Sequence, residues 1–311
     1  MKREDFDRKT DRHGTMSLKY DFNIQRGKPA DAMQLWVADM DWGCPECVRE
    51  ELGKAVSEGI FGYTEADEAY YRAVTDWFRK HYSWKAEAEW IIKTPGVVFA
   101  LAQAVKAFTE SGDGVLIQSP VYYPFYEVIR DNDRRIVENP LKLQNGHYEM
   151  DFEDLEKKLA GEKIKLMFLC SPHNPVGRVW TKDELRRIGE LIRKYQVILV
   201  SDEIHCDLVR PGFVHHVFSE VAPEAADQVL ICTAPSKTFN LAGLQVSNIF
   251  IKNPALRAKL KKEIDRAGYS QLNMAGLIAC KAAYQGGEEW LADCKAYLWE
   301  NLDYLKSFVE R

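Results

Sequence analysis

Short apolar segments alternate with amphipathic helical patterns through most of the 311-residue chain. Four of these segments each end at a polar cluster: 115–118 before 119–123, 164–170 before 171–177, 197–200 before 202–205, and 228–232 before 236–237. This alternation predicts an α/β fold with a mostly parallel sheet sandwiched by helices. Because ligands of such sheets bind beyond the carboxyl ends of the strands, the clusters predict one binding site along that edge.

Composition and charge exclude several kinds of partner. With 42 basic and 47 acidic residues the net charge is −5, which predicts neither nucleic-acid nor membrane binding. No apolar run approaches the roughly 18 residues that a membrane helix needs. The seven scattered cysteines and a charged start unlike a signal peptide predict a cytoplasmic protein. Cys44 and Cys47 lack two further ligands at zinc spacing, so we predict no metal site.

Lys237 stands in the Ser/Thr-rich stretch 233–245, TAPSKTFNLAGLQ, between two apolar strand patterns. This context predicts a lysine held on a turn at the edge of the sheet. A lysine forms a Schiff base with a carbonyl cofactor, and burial lowers its pKa toward the nucleophilic range. An isolated Ser-Lys pair is more often a solvated turn, so the prediction depends on the residues at the other strand ends.

Those strand ends carry the groups that pyridoxal 5′-phosphate requires around its ring. A buried carboxylate keeps the pyridine nitrogen protonated so that the ring accepts electrons, and Asp202 ends an apolar strand. The Asn174 amide and the His205 imidazole are candidate hydrogen-bond donors to the phenolate oxygen. Each residue alone has an ordinary alternative, as a polar strand end, a turn former or a structural histidine. Their joint occurrence at strand ends favours the cofactor site.

The cofactor's phosphate and ring face also have candidate partners. The amides around Gly96, Val97 and Val98 open a predicted helix, and helix N-termini bind phosphate. Ser236 adds a hydroxyl beside the lysine. Tyr122 is placed to lie flat against the ring, and we count it with Lys237 as a candidate catalytic residue.

These motifs resemble those of fold-type I, class I/II aminotransferases, a superfamily of pyridoxal-phosphate enzymes. Three segments carry the resemblance: 171–178 (SPHNPVGR), 201–205 (SDEIH) and 234–243 (APSKTFNLAG). Within the superfamily the chain is similar to the cystathionine β-lyase branch, the MalY/PatB type. Four features carry that similarity: 36–41 (WVADMD), 94–98 (TPGVV), His205 and 237–240 (KTFN). The similarity extends over essentially the whole chain.

The resemblance implies a homodimer with shared active sites, in which Tyr63 reaches the cofactor phosphate of the partner subunit. Relatives with transaminase activity often carry tyrosine where this chain has His205. They also often have an arginine shortly after the lysine, where this chain reads LQVS at 244–247. Phosphate binding is therefore expected to depend on amides and hydroxyls.

The resemblance also implies three parts of the chain. These are an N-terminal arm with part of a small domain (1–45), a large cofactor-binding domain (46–285) and the start of the small domain (286–311). The final helical pattern has no cap, glycine or proline stop, which predicts that the small domain is incomplete. In the family, the segment that follows carries the arginine that binds the substrate carboxylate.

Together these features predict a pyridoxal-phosphate carbon–sulfur β-lyase. Its substrate would be a small amino acid with a β-thioether, and its products a thiol, pyruvate and ammonia. Two alternatives stay open at this point. An aminotransferase would use the same residues with a keto-acid acceptor, and a cofactor-binding regulatory protein without turnover is favoured by the incomplete small domain.

Overall fold

The computed structural model describes residues 3–8 and 10–311 of the chain. The helices are α1 (Arg3–Asp7), α2 (Glu46–Glu58), α3 (Glu68–Tyr82), α4 (Val97–Phe108), α5 (Pro124–Arg130), α6 (Phe152–Gly161), α7 (Lys182–Tyr195), α8 (Phe218–Val221), α9 (Pro235–Thr238), α10 (Pro254–Arg266), α11 (Met274–Gly286) and α12 (Glu288–Val309). The strands are β1 (Ile91–Thr94), β2 (Gly114–Ile117), β3 (Arg135–Glu138), β4 (Lys142–Gln144), β5 (His147–Glu149), β6 (Ile164–Cys170), β7 (Ile198–Asp202), β8 (Val229–Thr233) and β9 (Ser247–Ile251).

Seven of the strands form one mixed sheet in the order β1-β9-β8-β7-β6-β2-β3. The pairings from β8 through β7, β6 and β2 to β3 are all parallel. Strand β9 runs antiparallel to both of its neighbours, β8 and β1, so β1 points the same way as β8. The carboxyl ends of all the sheet strands except β9 therefore meet at one edge. The predicted mostly parallel α/β fold is confirmed.

Helices cover both faces of this sheet. In β6, Leu166 and Phe168 pack into one hydrophobic core with residues of α4, α5 and α10. Met167 and Leu169 point the other way, into a second core built with α3, α7 and α11. Side chains of a strand alternate between the two faces, so a strand covered on both sides needs apolar residues throughout. This is why the segment 164–170 is an unbroken apolar run except at Lys165.

Three local features differ from the sequence expectations. Strand β7 runs beyond the predicted apolar segment 197–200 and includes Ser201 and Asp202, so Asp202 ends the strand as expected. Lys237 lies in the single helical turn α9, not on an open turn. The apolar pattern also does not predict the hairpin of β4 and β5, whose residues are mostly exposed. Its turn residues Asn145 and Gly146 have φ of 50° and 74°, and the Asn-Gly pair was the available signal.

The start of the chain packs against the last helix. The Phe6 ring stacks on Tyr297 of α12 at 5.5 Å and meets the edge of Trp42, also at 5.5 Å. The boundaries at 45 and 285 between arm, large domain and small domain stay predictions. In the described part of the chain, no helix combines the length and the apolar character needed to cross a bilayer.

Candidate active site

A cavity of about 360 Å³ opens at the carboxyl edge of the sheet. It lies where β1, β2, β6, β7 and β8 end, as the polar clusters predict. The sheet thus gathers side chains that are far apart in the sequence. Nine of the predicted site residues line it: Gly96, Val97, Val98, Tyr122, Asn174, Asp202, His205, Ser236 and Lys237.

Lys237 reaches the cavity from α9, directly after β8. Burial lowers the pKa of its ammonium, while the negative charges of Asp39 and Asp202 partly oppose that shift. Its Nζ donates a long hydrogen bond of 3.5 Å to the Ala38 carbonyl. The amine is therefore easier to deprotonate than a surface lysine, which is what a nucleophile or base at this position requires.

Asp202 is a buried carboxyl group, 3% exposed, at the end of β7. Burial raises its pKa to about 7, and the nearby Glu203 adds to that effect. Its side chain accepts a hydrogen bond of 3.2 Å from the Ile204 amide. No lysine, arginine or histidine of residues 3–8 and 10–311 forms an ion pair with it. A buried carboxylate of this kind gains most from a cationic N–H group placed in the cavity, and a pyridinium ring supplies one.

His205 and Asn174 add neutral polar groups to the same cavity. Burial, followed by the nearby Lys237, lowers the pKa of His205 to about 4, so its imidazole is neutral near pH 7. Asn174 lies in the loop after β6, which is closed by the His173 amide on the Arg178 carbonyl at 2.8 Å. Arg178 is in turn held by Glu184 at 2.8 Å. These contacts hold the loop that presents Asn174 to the cavity.

The start of α4 forms an open cradle for an anion. Gly96 caps this helix with φ of 138°, a conformation that side chains with a Cβ rarely adopt, and a Cβ there would meet no atom within 4 Å. The amides of Val97 and Val98 follow at the first helical positions, where N–H groups have no partner within the helix. Their combination with the Ser236 hydroxyl fits a phosphate group.

Tyr122 contributes an aromatic wall. Burial raises the pKa of its hydroxyl to about 12, with smaller contributions from Tyr123 and Asp202, so the phenol stays neutral. Its ring lies 5.5 Å from the ring of Tyr123, which also lines the cavity. The cavity as a whole fits pyridoxal 5′-phosphate. It offers a lysine, a buried acid, neutral hydrogen-bond donors, a binding site for an anion and an aromatic wall.

The loops that carry Lys237 and His205 are joined beneath the cavity. The Thr238 hydroxyl donates a hydrogen bond of 2.7 Å to Asp207, whose carboxylate also accepts from Trp77 at 3.0 Å and Tyr82 at 2.5 Å. Asp207 is buried, so these bonds replace the water that the carboxylate loses. The two loops are therefore fixed relative to each other.

Some lining residues were not predicted as part of the site. Trp36, Val37 and Ala38 approach the cavity from the N-terminal arm, and Phe99 and Gln245 are among the other residues that line it. The motif at 36–41 contributes to the family resemblance, but nothing local in it indicates contact with Lys237.

Tyr63 lies apart from this cavity. Its side chain is 97% exposed, in the segment between α2 and α3. Within one chain the structure does not bring it to the other site residues, so its part in a shared active site stays a prediction.

The sequence and fold place the protein in a known family. The chain belongs to the aminotransferase class I and II family, whose model matches residues 30–311. Among its relatives is the cystathionine beta-lyase PatB of Bacillus subtilis, 43% identical over 98% of this chain and 79% of that protein. The protein MalY of Escherichia coli is 34% identical over 97% of this chain and 77% of that protein.

A solved structure extends the comparison to three dimensions. Cystalysin from Treponema denticola, whose crystal structure contains pyridoxal 5′-phosphate, superposes with a TM-score of 0.93. The two chains are 40% identical, and the match covers 97% of this chain and 77% of cystalysin. The fold-type I transferase fold predicted from the motifs is confirmed.

Proposed function

We propose that this protein is a pyridoxal-phosphate carbon–sulfur β-lyase that acts on a small amino acid with a β-thioether. The observation that carries the proposal is the single cavity in which Lys237, with a lowered pKa, lies with the buried Asp202. The similarity to the cystathionine β-lyase PatB supports the lyase reaction over transamination. The net reaction converts the thioether amino acid and water into a thiol, pyruvate and ammonia.

Each group of the cavity has a role in holding the cofactor. When bound, pyridoxal 5′-phosphate supplies an aldehyde that takes up amines covalently and a ring that accepts electrons. Asp202 holds the proton on the ring nitrogen. Asn174 and the neutral His205 donate hydrogen bonds to the ring oxygen. The Ser236 hydroxyl and the amides that open α4 bind the phosphate, and Tyr122 packs against the ring face.

Lys237 acts both as the attachment point and as the base. Its Nζ would hold the bound cofactor through the aldehyde. As a neutral amine, the same Nζ would take the proton from the substrate Cα, which would prepare loss of the thiol from Cβ. Burial, which lowers the pKa of Lys237, increases the fraction of neutral amine that can accept this proton.

The products decide between the lyase and its alternatives. We expect the purified protein, loaded with cofactor, to release thiol, pyruvate and ammonia from cystathionine without an added keto-acid acceptor. Turnover that requires a keto-acid acceptor would identify an aminotransferase instead. Bound cofactor with no turnover under either condition would identify a binding protein without catalysis.

We also propose that two copies associate through the surface around Tyr63. Neighbouring apolar side chains are unusually exposed, with Val56 at 62%, Ile60 at 76% and Phe61 at 68%. An exposed cluster of this kind is typical of an interface. In the dimer the Tyr63 hydroxyl would bind the phosphate held by the second copy.

Tyr63→Phe tests this arrangement. We expect the variant to remain a dimer in sedimentation velocity but to bind the cofactor about tenfold more weakly, because one hydrogen bond to a charged group is lost. Tyr304→Phe, at an exposed site on α12, is the control and should bind normally. A monomeric wild-type protein, or equal cofactor affinity in all three proteins, would contradict the proposal.

We place the protein in the cytoplasm because all seven of its cysteines are free thiols. Five of them are buried in the structure, and a reducing compartment preserves thiols in that state.

A further inference from the structure

The segment 36–42 forms one wall of the active-site cavity without belonging to a helix or strand. Its residues Trp36, Val37 and Ala38 line the cavity, and the Ala38 carbonyl lies 3.5 Å from Lys237 Nζ. An irregular segment lacks the regular backbone hydrogen bonds of a helix or strand. Its position therefore depends on contacts from elsewhere in the fold.

The Asn240 side chain supplies three such contacts. Its Oδ1 accepts a hydrogen bond of 2.9 Å from the Met40 amide. Its Nδ2 donates to the Met40 carbonyl at 3.1 Å and to the Trp42 carbonyl at 2.9 Å. Both protons of the amide and its oxygen are therefore used on the backbone of a single segment, which lies 198 to 200 residues away in the sequence.

The backbone at Asn240 suits this role. The residue follows α9, three positions after Lys237, and has φ of 59°. Asparagine adopts this left-handed conformation more readily than other residues with a Cβ. The same turn that presents Lys237 to the cavity thus also presents the amide that holds the wall.

Charged side chains also hold the segment. Lys19 Nζ donates to the Asp39 carbonyl at 3.0 Å and to the Asp41 carboxylate at 2.9 Å, and Arg12 pairs with Asp39 at 3.0 Å. These contacts tie the segment to Arg12 and Lys19, earlier in the same N-terminal arm. The Asn240 contacts instead tie its backbone to the turn that carries Lys237.

We infer that Asn240 is a positioning residue that sets the substrate-facing wall of the cavity. This inference rests on the proposed function. The groups suited to the cofactor, such as Asp202, Asn174 and Ser236, come from strand ends and from α9. Residues 36–38 add only an indole, two small apolar side chains and backbone groups. We therefore expect them to limit the space that remains for the substrate. Asn240 therefore governs substrate affinity more than cofactor affinity.

Asn240→Gly removes the side chain without straining the backbone, since glycine adopts positive φ freely. In the cofactor-loaded protein we expect KM for cystathionine to rise about tenfold, because a displaced wall misplaces the substrate. The visible absorbance of the bound cofactor and its affinity should stay at the wild-type level. Hydrogen exchange of the amides in 37–42 should accelerate.

Asn253→Gly is the matched control. Asn253 also bonds backbone groups, the Ala255 amide at 2.9 Å and the Asp227 carbonyl at 3.0 Å, but it caps α10 and does not line the cavity. We expect its loss to change neither KM nor exchange in 37–42. Asn240→Asp, which keeps the side-chain size and the acceptor for Met40, replaces the glycine variant if that variant does not fold.

The outcomes separate this inference from the proposed function. If hydrogen exchange in 37–42 is unchanged in Asn240→Gly, the inference that Asn240 holds this segment is wrong. If exchange is faster but KM is unchanged, the inference that Asn240 affects substrate binding is wrong. A rise in KM that Asn253→Gly reproduces would also overturn it. A wild-type protein that binds no cofactor or releases no thiol would overturn the proposed function, and the claim about substrate affinity with it.

Discussion

Lys237→Ala is expected to abolish the visible absorbance band of the bound cofactor and to lower thiol release from cystathionine by about 10³-fold or more. In the proposed mechanism the substitution removes both the amine that holds the aldehyde and the base that takes the Cα proton. No other lysine lines the cavity among the residues that the structure describes, so no neighbouring amine replaces it. Absorbance spectra and a thiol assay on the purified variant measure the two effects separately.

Lys252→Ala provides the control for loss of a lysine. Lys252 is 47% exposed in its side chain, pairs with Asp227 and does not line the cavity. We expect this variant to keep both the absorbance band and the activity. A Lys237→Ala protein that retained both would show that the cavity has been assigned the wrong chemistry.

Asp202→Asn is expected to have opposite effects with and without the cofactor. In the cofactor-free protein, burial raises the pKa of Asp202 from 3.8 to about 7. The Asp202 carboxyl therefore ionises at a higher pH in the folded protein than in the unfolded chain. The contribution of Asp202 to the free energy of unfolding should fall as the pH rises from about 4 to about 7 and level off above that range, a total loss of about 4 kcal/mol relative to a side chain that does not ionise. Asparagine does not ionise, so the variant should be the more stable protein at pH 8 and about equal at pH 4.

With the cofactor bound, we expect the wild-type protein to be the more active of the two. In the proposed site the Asp202 carboxylate would hold the proton on the ring nitrogen, and asparagine would not balance that charge. We expect Asp202→Asn to lower turnover by about 10²-fold or more, the size of effect seen when a preorganised electrostatic partner is lost. Urea unfolding of the cofactor-free proteins at pH 4 and pH 8 tests the expected effect on stability. Turnover assays of the cofactor-loaded proteins test the expected effect on activity.

Asp183→Asn is the matched control because its side chain is 93% exposed and lies at the start of α7. It should change neither the pH dependence of stability nor the turnover. If the wild-type protein and Asp202→Asn differed in stability by the same amount at both pH values, the buried carboxyl could not be the source of the pH dependence.

Local sequence patterns predicted much of the site because the fold converts them directly into positions. A strand covered on both faces must be apolar along its length, and parallel strands bring their carboxyl ends to one edge. The residues after 118, 170 and 233 therefore converge with Asp202. This convergence can be predicted without knowledge of contacts between distant parts of the chain. This geometry is why the sequence alone predicted that Asp202, Asn174 and Lys237 lie together, as they do in the cavity.

Tertiary structure decided the features that depend on where the chain returns. One such feature is the reversed direction of β9. Others are the wall formed by residues 36–38 and the three hydrogen bonds from Asn240, which join segments up to 200 residues apart. No local periodicity records such contacts. The same holds for the pKa values of Asp202 and His205, which follow from burial that only the assembled cavity creates.

The sequence by itself thus determined which residue types stand at the ends of which strands, and with them the chemistry that the edge of the sheet supports. The tertiary structure determined how closely that edge is enclosed, which segment closes it and how strongly each acid and base is shifted. The physical reason is that side-chain pattern and burial within one element are local properties. Desolvation and the placement of irregular segments are instead set by all the elements packed around them.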